Sequence, residues 1–184
     1  YLAGELRKSA AKVLQKKQRK EALAARNSLS CDYIKQASRV ICEKLISSDE
    51  FQNAKKIFVY KAVACEVRLD DLIEKAQSLG KEIYYPLCKD KSEMLALKPG
   101  PDTVWKEGSF GISEPSEAGS SEVKPDELDL IICPLAGFDE AGNRIGMGGG
   151  YYDRFLAKAG SAKAIGVAFD CQKIERILAQ PHDI

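Results

Sequence analysis

Asn143-Arg-Ile-Gly-Met-Gly-Gly-Gly-Tyr-Tyr-Asp153 is the stretch that decides the fold. Residues 130–138 before it form an apolar run set between Asp129 and the pair Asp139-Glu140, and residues 152–158 after it have helical spacing. The order is strand, glycine loop, helix, the unit from which parallel α/β sheets are built. Four glycines in five positions (Gly146, Gly148, Gly149 and Gly150) remove the Cβ atoms that would hold a ligand off the main chain. Converging N–H groups and the positive end of a following helix suit an anion such as phosphate. Two known phosphate signatures fail here. The loop has no Gly-Lys-Ser/Thr, and a G-x-G-x-x-G frame meets Tyr151 when started from Gly146 and Asp153 when started from Gly148. A tight turn without a ligand is the plain reading of any glycine run. Tyr151, Tyr152 and Asp153 favour the functional one, because they set two aromatic faces and a carboxylate at the mouth of the loop.

Working outward, strands and helices alternate. Ser30 is placed to cap a helix carrying Ile34, Ala37, Ile41 and Leu45 on one face. Residues 55–64 read as a strand, 69–79 as a helix closed by Gly80, and 81–88 as a second strand stopped near Pro86. A short strand over 94–98 precedes a loop-rich segment, 99–125, which holds four of the seven prolines and is punctuated by Trp105 and Phe110. Residues 162–169 read as the last strand, and Ile174, Ile177 and Leu178 as a short amphipathic turn of helix. The expectation is an α/β fold of three layers, with a mostly parallel central sheet, helices on both faces and Rossmann-like layering.

Composition narrows the function classes. A chain of 184 residues with 45% apolar and 30% charged residues builds one globular domain. No run approaches the roughly 18 apolar residues of a membrane span. A formal net charge of +1 gives no global field for nucleic acid or an anionic bilayer, so no partner of either kind is expected. The six cysteines are dispersed without a C-x-x-C, and His182 is the single histidine; a zinc site is not expected, and reduced thiols in the cytoplasm are. Charge is concentrated locally, since Lys12, Lys16, Arg19 and Arg26 fall on one helical face, the ordinary meaning of which is a solvated stripe. Glu66, just past the first strand, lies at the carboxyl edge where open α/β sheets place ligands; on sequence alone it reads as a surface residue.

Phe138-Asp139 and Gly142-Asn143-Arg144 running into Gly-Met-Gly-Gly-Gly-Tyr-Tyr-Asp-Arg-Phe-Leu resemble the 5-formyltetrahydrofolate cyclo-ligase family. Further matches are Glu66-Val67, Phe110-Gly111-Ile112 with Glu114-Pro115, Ala168-Phe169-Asp170 and Pro181-His182-Asp183. The resemblance covers residues 16–184 as a single domain, leaves 1–15 as an N-terminal extension, and implies a further short strand beyond Ile184. Extra helix is the plain reading of the extension; a transit-peptide remnant, hence a mitochondrial location, is the alternative to a cytoplasmic one.

The resemblance implies an ATP- and Mg²⁺-dependent ligase acting on small molecules as a monomer or weak dimer. ATP would be held by Lys16, Lys17, Arg19, Arg144, Gly146, Met147, Gly148, Gly149, Gly150, Tyr151 and Tyr152. The folate would meet Glu66, Phe110, the three consecutive glycines and both tyrosines. Arg144 and Tyr152 would be catalytic, and Asp153 and Asp183 would hold Mg²⁺. At Gln18 the chain departs from the family's leucine. A binding module of the same fold without turnover is the alternative. A sugar-phosphate isomerase would need a poised acid/base pair near the loop, which the sequence lacks.

Overall fold

The computed structural model describes residues 2–90, 92–108 and 111–178. Its centre is a six-stranded sheet in the order β10-β7-β1-β2-β3-β6. Here β1 is Lys56–Phe58, β2 Glu82–Cys88, β3 Met94–Pro99, β6 Ser120–Val123, β7 Leu130–Pro134 and β10 Lys163–Val167. The four strands from β10 to β2 are parallel, and β3 and β6 add an antiparallel edge.

Period-2 alternation divides the core into two layers. Ile57, Val59, Ile83, Leu130 and Ile132 face α2 (Cys31–Ile46), α3 (Asp49–Asn53) and α4 (Asp70–Ser78), packing with Ile34, Leu45, Phe51 and Leu72. Phe58, Tyr84, Ile131 and Cys133 face the opposite side, where Phe155 of α5 (Tyr151–Leu156) covers them. Phe58 and Phe155 stack with ring centroids 4.7 Å apart. The expected three-layer α/β arrangement is therefore present. As expected, Ser30 caps α2, its side chain accepting from Tyr33 N–H.

α1 (Leu2–Asn27) is one helix of 26 residues, continuous through Gln15 and Lys16. It lies over the segment up to Leu178: Gln15 donates to the Leu178 carbonyl and Gln18 to the Arg176 carbonyl. Leu23 joins Ile145, Ile174 and Ile177 in a small third cluster. Residues 174–178 are not the expected helical turn. The chain makes a 3-10 turn at Asp170–Gln172 and then runs on without regular secondary structure, because its main chain bonds to partners outside itself: Ile174 N–H bonds the Phe138 carbonyl, Ile177 N–H bonds the Asp139 carboxylate, and two carbonyls bond the α1 glutamines.

Two other expectations are corrected. Pro86 does not stop β2; it sits in register with Ala96 of β3. β1 ends opposite Tyr84, so the N–H that proline lacks falls where no neighbouring strand remains to receive it. The segment 99–125 is not loop throughout. β4 (Trp105–Glu107) and β5 (Ser113–Pro115) form an antiparallel hairpin, and β6 joins the main sheet. Trp105 meets Tyr85 edge-on at 5.2 Å and takes the Lys61 ammonium over its ring at 4.0 Å, which pins the hairpin to the carboxyl edge of the sheet.

Candidate active site at the carboxyl edge of the sheet

The glycine loop leaves a small hairpin, β8 (Gly137–Phe138) with β9 (Arg144–Ile145), which follows β7 directly. Asp139 builds its turn. One carboxylate oxygen accepts from the Ala141 and Asn143 N–H groups at 3.1 and 2.9 Å, and the other accepts from Ile177 N–H at 2.9 Å; the Asn143 side-chain amide bonds both. Burial pushes the Asp139 carboxyl up, but the bonds from Asn143, Ile177 and Ala141 outweigh it and hold the group below its ordinary range. Sequence reading places Asp139 in a motif without giving it a task. The pattern Asp-x-Ala-Gly-Asn, an acid followed by turn residues, is the available signal.

Three arginines grip the loop. Arg19 of α1 donates from Nε to the Gly146 carbonyl at 2.7 Å, and its guanidinium lies against Gly148. Gly148 has φ +100°, and a Cβ there would come 3.2 Å from Arg19 Nη1. Arg154 of α5 donates to the Gly149 and Ser92 carbonyls and lies over the Tyr151 ring. Arg144 pairs through Nη2 with Asp153 Oδ1, while its buried Nε has no partner among the described residues. α5 has only six residues, so the attraction for an anion rests on these guanidinium groups and the loop amides rather than on a long helix dipole. Sequence reading does not single out Arg154; its distance from the glycines in sequence, i to i+5, hides it.

Lys16 and Lys17 are exposed, and Lys17 pairs with Glu21 at 3.9 Å, so α1 turns Arg19 and not these lysines toward the loop. Met147 is exposed. Tyr151 donates to the Asp90 carbonyl at 2.9 Å. Tyr152 turns inward against Phe58, and its buried hydroxyl has no hydrogen-bond partner among the described residues. Burial pushes the Tyr152 phenol well above its ordinary range, with the Cys133, Tyr60, Glu66 and Cys88 groups adding to the effect. It therefore stays protonated and offers a donor. The thiols nearby are inert: burial pushes Cys133 and Cys88 each up to about 12.

Glu66 is not a surface residue. It is 8% exposed and lies 3.7 Å from Arg26 of α1, which is 5% exposed. Its second oxygen accepts from Val63 N–H at 3.0 Å across a tight turn in which Ala64 takes φ +45°. Tyr60 closes the same turn by donating to the Val67 carbonyl. Burial raises the Glu66 carboxyl, and the Val63 N–H and Arg26 pull it back. Across the cleft, buried Glu114 of β5 accepts from the Cys88 N–H, which β1 leaves unpaired by ending early. Cavities of about 570 Å³ beside Tyr60, Ala64 and Tyr85 and about 350 Å³ beside Cys133, Asn143 and Arg144 flank the site.

One region of the sheet's carboxyl edge thus gathers Glu66, Arg19, Arg144, the glycines, Tyr151, Tyr152 and Asp153. Phe110 and Asp183 lie outside the described residues. Among the described residues no three acidic, cysteine or histidine side chains cluster as a metal cage, and no helix is long and apolar enough to cross a membrane.

A family model described as the 5-formyltetrahydrofolate cyclo-ligase family matches residues 11–184. The 5-formyltetrahydrofolate cyclo-ligase of Haemophilus influenzae is 33% identical over 153 residues, 81% of this chain and 82% of that protein. The mouse protein of the same name is 29% identical over 179 residues, 91% and 85% of the two chains. In solved structures, the 5,10-methenyltetrahydrofolate synthetase of Aquifex aeolicus superposes with a TM-score of 0.80 at 32% identity, covering 93% of this chain and 86% of that one. With a family model matched over residues 11–184 and a relative 33% identical across most of both chains, the chain belongs to the 5-formyltetrahydrofolate cyclo-ligase family.

Proposed function

We propose that this protein converts 5-formyltetrahydrofolate to 5,10-methenyltetrahydrofolate, consuming ATP and giving ADP and phosphate. The observation that carries the reading is the meeting of Arg19 and Arg144 at a glycine loop that sits on the same sheet edge as the buried carboxylate Glu66. The first two suit phosphates, and the last suits a ligand edge rich in N–H donors, as a pterin is.

The chemistry needs ATP because a formamide carbon is a poor electrophile. Transfer of the γ-phosphoryl group to the formyl oxygen breaks the bond to ADP and leaves an iminium-like carbon. N10 then attacks that carbon, loses its proton, and phosphate departs with the formyl oxygen. The chain's own part is to position and to neutralise. Arg19 and the loop amides hold the nucleotide, the unpartnered Arg144 Nε and Tyr152 hydroxyl present donors toward the reacting groups, and Glu66 orients the pterin.

For Mg²⁺ the residues present fit an ion carried by the nucleotide. Such an ion takes most of its ligands from phosphates and water and needs one or two carboxylates. Asp153, with one oxygen on Arg144 and the other free of hydrogen bonds among the described residues, would hold it. The ion would neutralise phosphate charge. Its partner by resemblance is Asp183.

The test uses 5-formyltetrahydrofolate labelled with ¹⁸O in its formyl group. Label should appear in inorganic phosphate, with ADP and methenyl product formed in equal amounts. Label in water would overturn the phosphorylated intermediate. Binding of ATP and folate without product would instead favour the non-catalytic module.

A further inference from the structure

We infer that Arg26 is the positioning residue for Glu66, holding that carboxylate charged and oriented for the folate from a helix that contacts the opposite, nucleotide side of the site. The inference rests on the reading that Glu66 meets the folate. Both side chains are about nine-tenths buried, at 6% and 10% exposure. Arg26 Nη1 faces Glu66 Oε1, Arg26 Nε has no partner, and the Arg26 side chain makes no other ion pair or hydrogen bond among the described residues. A guanidinium buried for packing alone would be expected to satisfy its donors on nearby carbonyls, as Arg19 and Arg154 do. This one is committed to a single carboxylate. The carboxylate is fixed from its other oxygen by Val63 N–H, so Oε1 is the atom left for a ligand, and Arg26 adds to that N–H in favouring the charged form and faces Oε1 from one side.

The other groups facing Glu66 do not supply a cation. Tyr60, just past β1, and Tyr152 from α5 stay neutral phenols. Without Arg26, Glu66 would be a buried carboxyl with one N–H donor, and burial, which already raises it, would push it further toward its protonated form. A protonated carboxyl presents an O–H to the pterin's N–H groups and repels where it should accept.

The experiment compares Arg26→Met, Arg26→Lys, Glu66→Gln and the double variant Arg26→Met/Glu66→Gln by steady-state kinetics between pH 6.5 and 8.5, with thermal melts. Arg26→Met should raise the folate KM roughly tenfold or more at pH 7, as expected for loss of a charge-assisted contact. That rise should shrink as pH increases, and the ATP KM should stay near wild type. Glu66→Gln should raise the folate KM at every pH. The double variant should match Glu66→Gln alone, since Arg26 acts through Glu66, and should melt higher than Arg26→Met because no buried ionisable carboxyl remains without its cation. Arg26→Lys keeps the cation and should retain the wild-type pH profile with a folate KM raised a few-fold. A pH-independent KM increase in Arg26→Met that adds to that of Glu66→Gln would make Arg26 merely structural. If Arg26→Met does not fold, Arg26→Gln, which also removes the charge, takes its place, and a wild-type folate KM and pH profile there would likewise make Arg26 structural. An unchanged folate KM in Glu66→Gln would instead remove the reading beneath the inference.

Discussion

Arg19 and Gly146 stand 127 residues apart and meet through a 2.7 Å hydrogen bond from guanidinium to carbonyl, so the first helix holds the glycine loop in place from outside. Seven residues later on the same face, roughly 10 Å along the axis, Arg26 reaches Glu66. One helix thereby touches both the phosphate side and the carboxylate side of the site. Replacing Arg19 by Ala should weaken ATP binding about tenfold or more, with a larger loss at low salt and little change in folate affinity. Calorimetry with a non-hydrolysable ATP analogue at two ionic strengths checks this; equal losses for ATP and folate would mean that Arg19 only clamps the loop.

Gly148 is the glycine on which substitution is most telling. Its φ of +100° excludes ordinary side chains, and an added Cβ would press on the Arg19 guanidinium at 3.2 Å. Gly149, whose added Cβ would meet the Tyr151 ring at 2.9 Å, reports on the tyrosine instead. Gly148→Ala should lower both melting temperature and ATP affinity. Gly80→Ala, with φ +70° and open space around it, carries similar strain at the end of α4 and should cost stability, by about 1 kcal/mol, without touching ATP. Equal ATP affinities in the two variants would detach the loop from the nucleotide.

How far the sequence can be read follows from range. The loop is legible because its glycines, tyrosines and aspartate are contiguous and its strand and helix flank it. Helical spacing puts Arg19 and Arg26 on one face with Lys12 and Lys16, but a period cannot say which way a face turns. The structure turns the two arginines inward and leaves the lysines in solvent. Glu66 reads as a surface acid because nothing local marks its burial; its cation lies 40 residues earlier, on another element. The β4–β5 hairpin escapes because its strands are three residues each, too short for alternation to register, and it is held by Trp105 on Tyr85.

Asp139→Asn should destabilise the protein by about 1–3 kcal/mol at neutral pH, because an amide nitrogen replaces an oxygen among donors. The folded carboxyl is held below its ordinary value, so its contribution is present above the unfolded value of about 3.9 and is lost as pH falls through the folded one. The stability gap between wild type and variant should therefore narrow below about pH 4. A gap that stayed constant into acid would mean that the hairpin turn does not depend on the charge.

Tyr152 separates stability from function most cleanly. Its hydroxyl is buried beside Phe58 and the thiols of Cys133 and Cys88 and has no partner among the described residues, which costs the fold stability. Removing an unsatisfied buried hydroxyl while keeping the ring should stabilise the fold, by about 1 kcal/mol. Were the hydroxyl idle, Tyr152→Phe would be a better protein in every respect. If it donates to the substrate's reacting groups, the same variant should melt higher while kcat/KM for the folate falls tenfold or more, consistent with loss of one well-placed donor. Thermal melts and kinetics on one preparation decide between these. A raised melting temperature with unchanged kcat/KM would remove Tyr152 from the site, and a lowered one would show that the hydroxyl has a structural partner in solution.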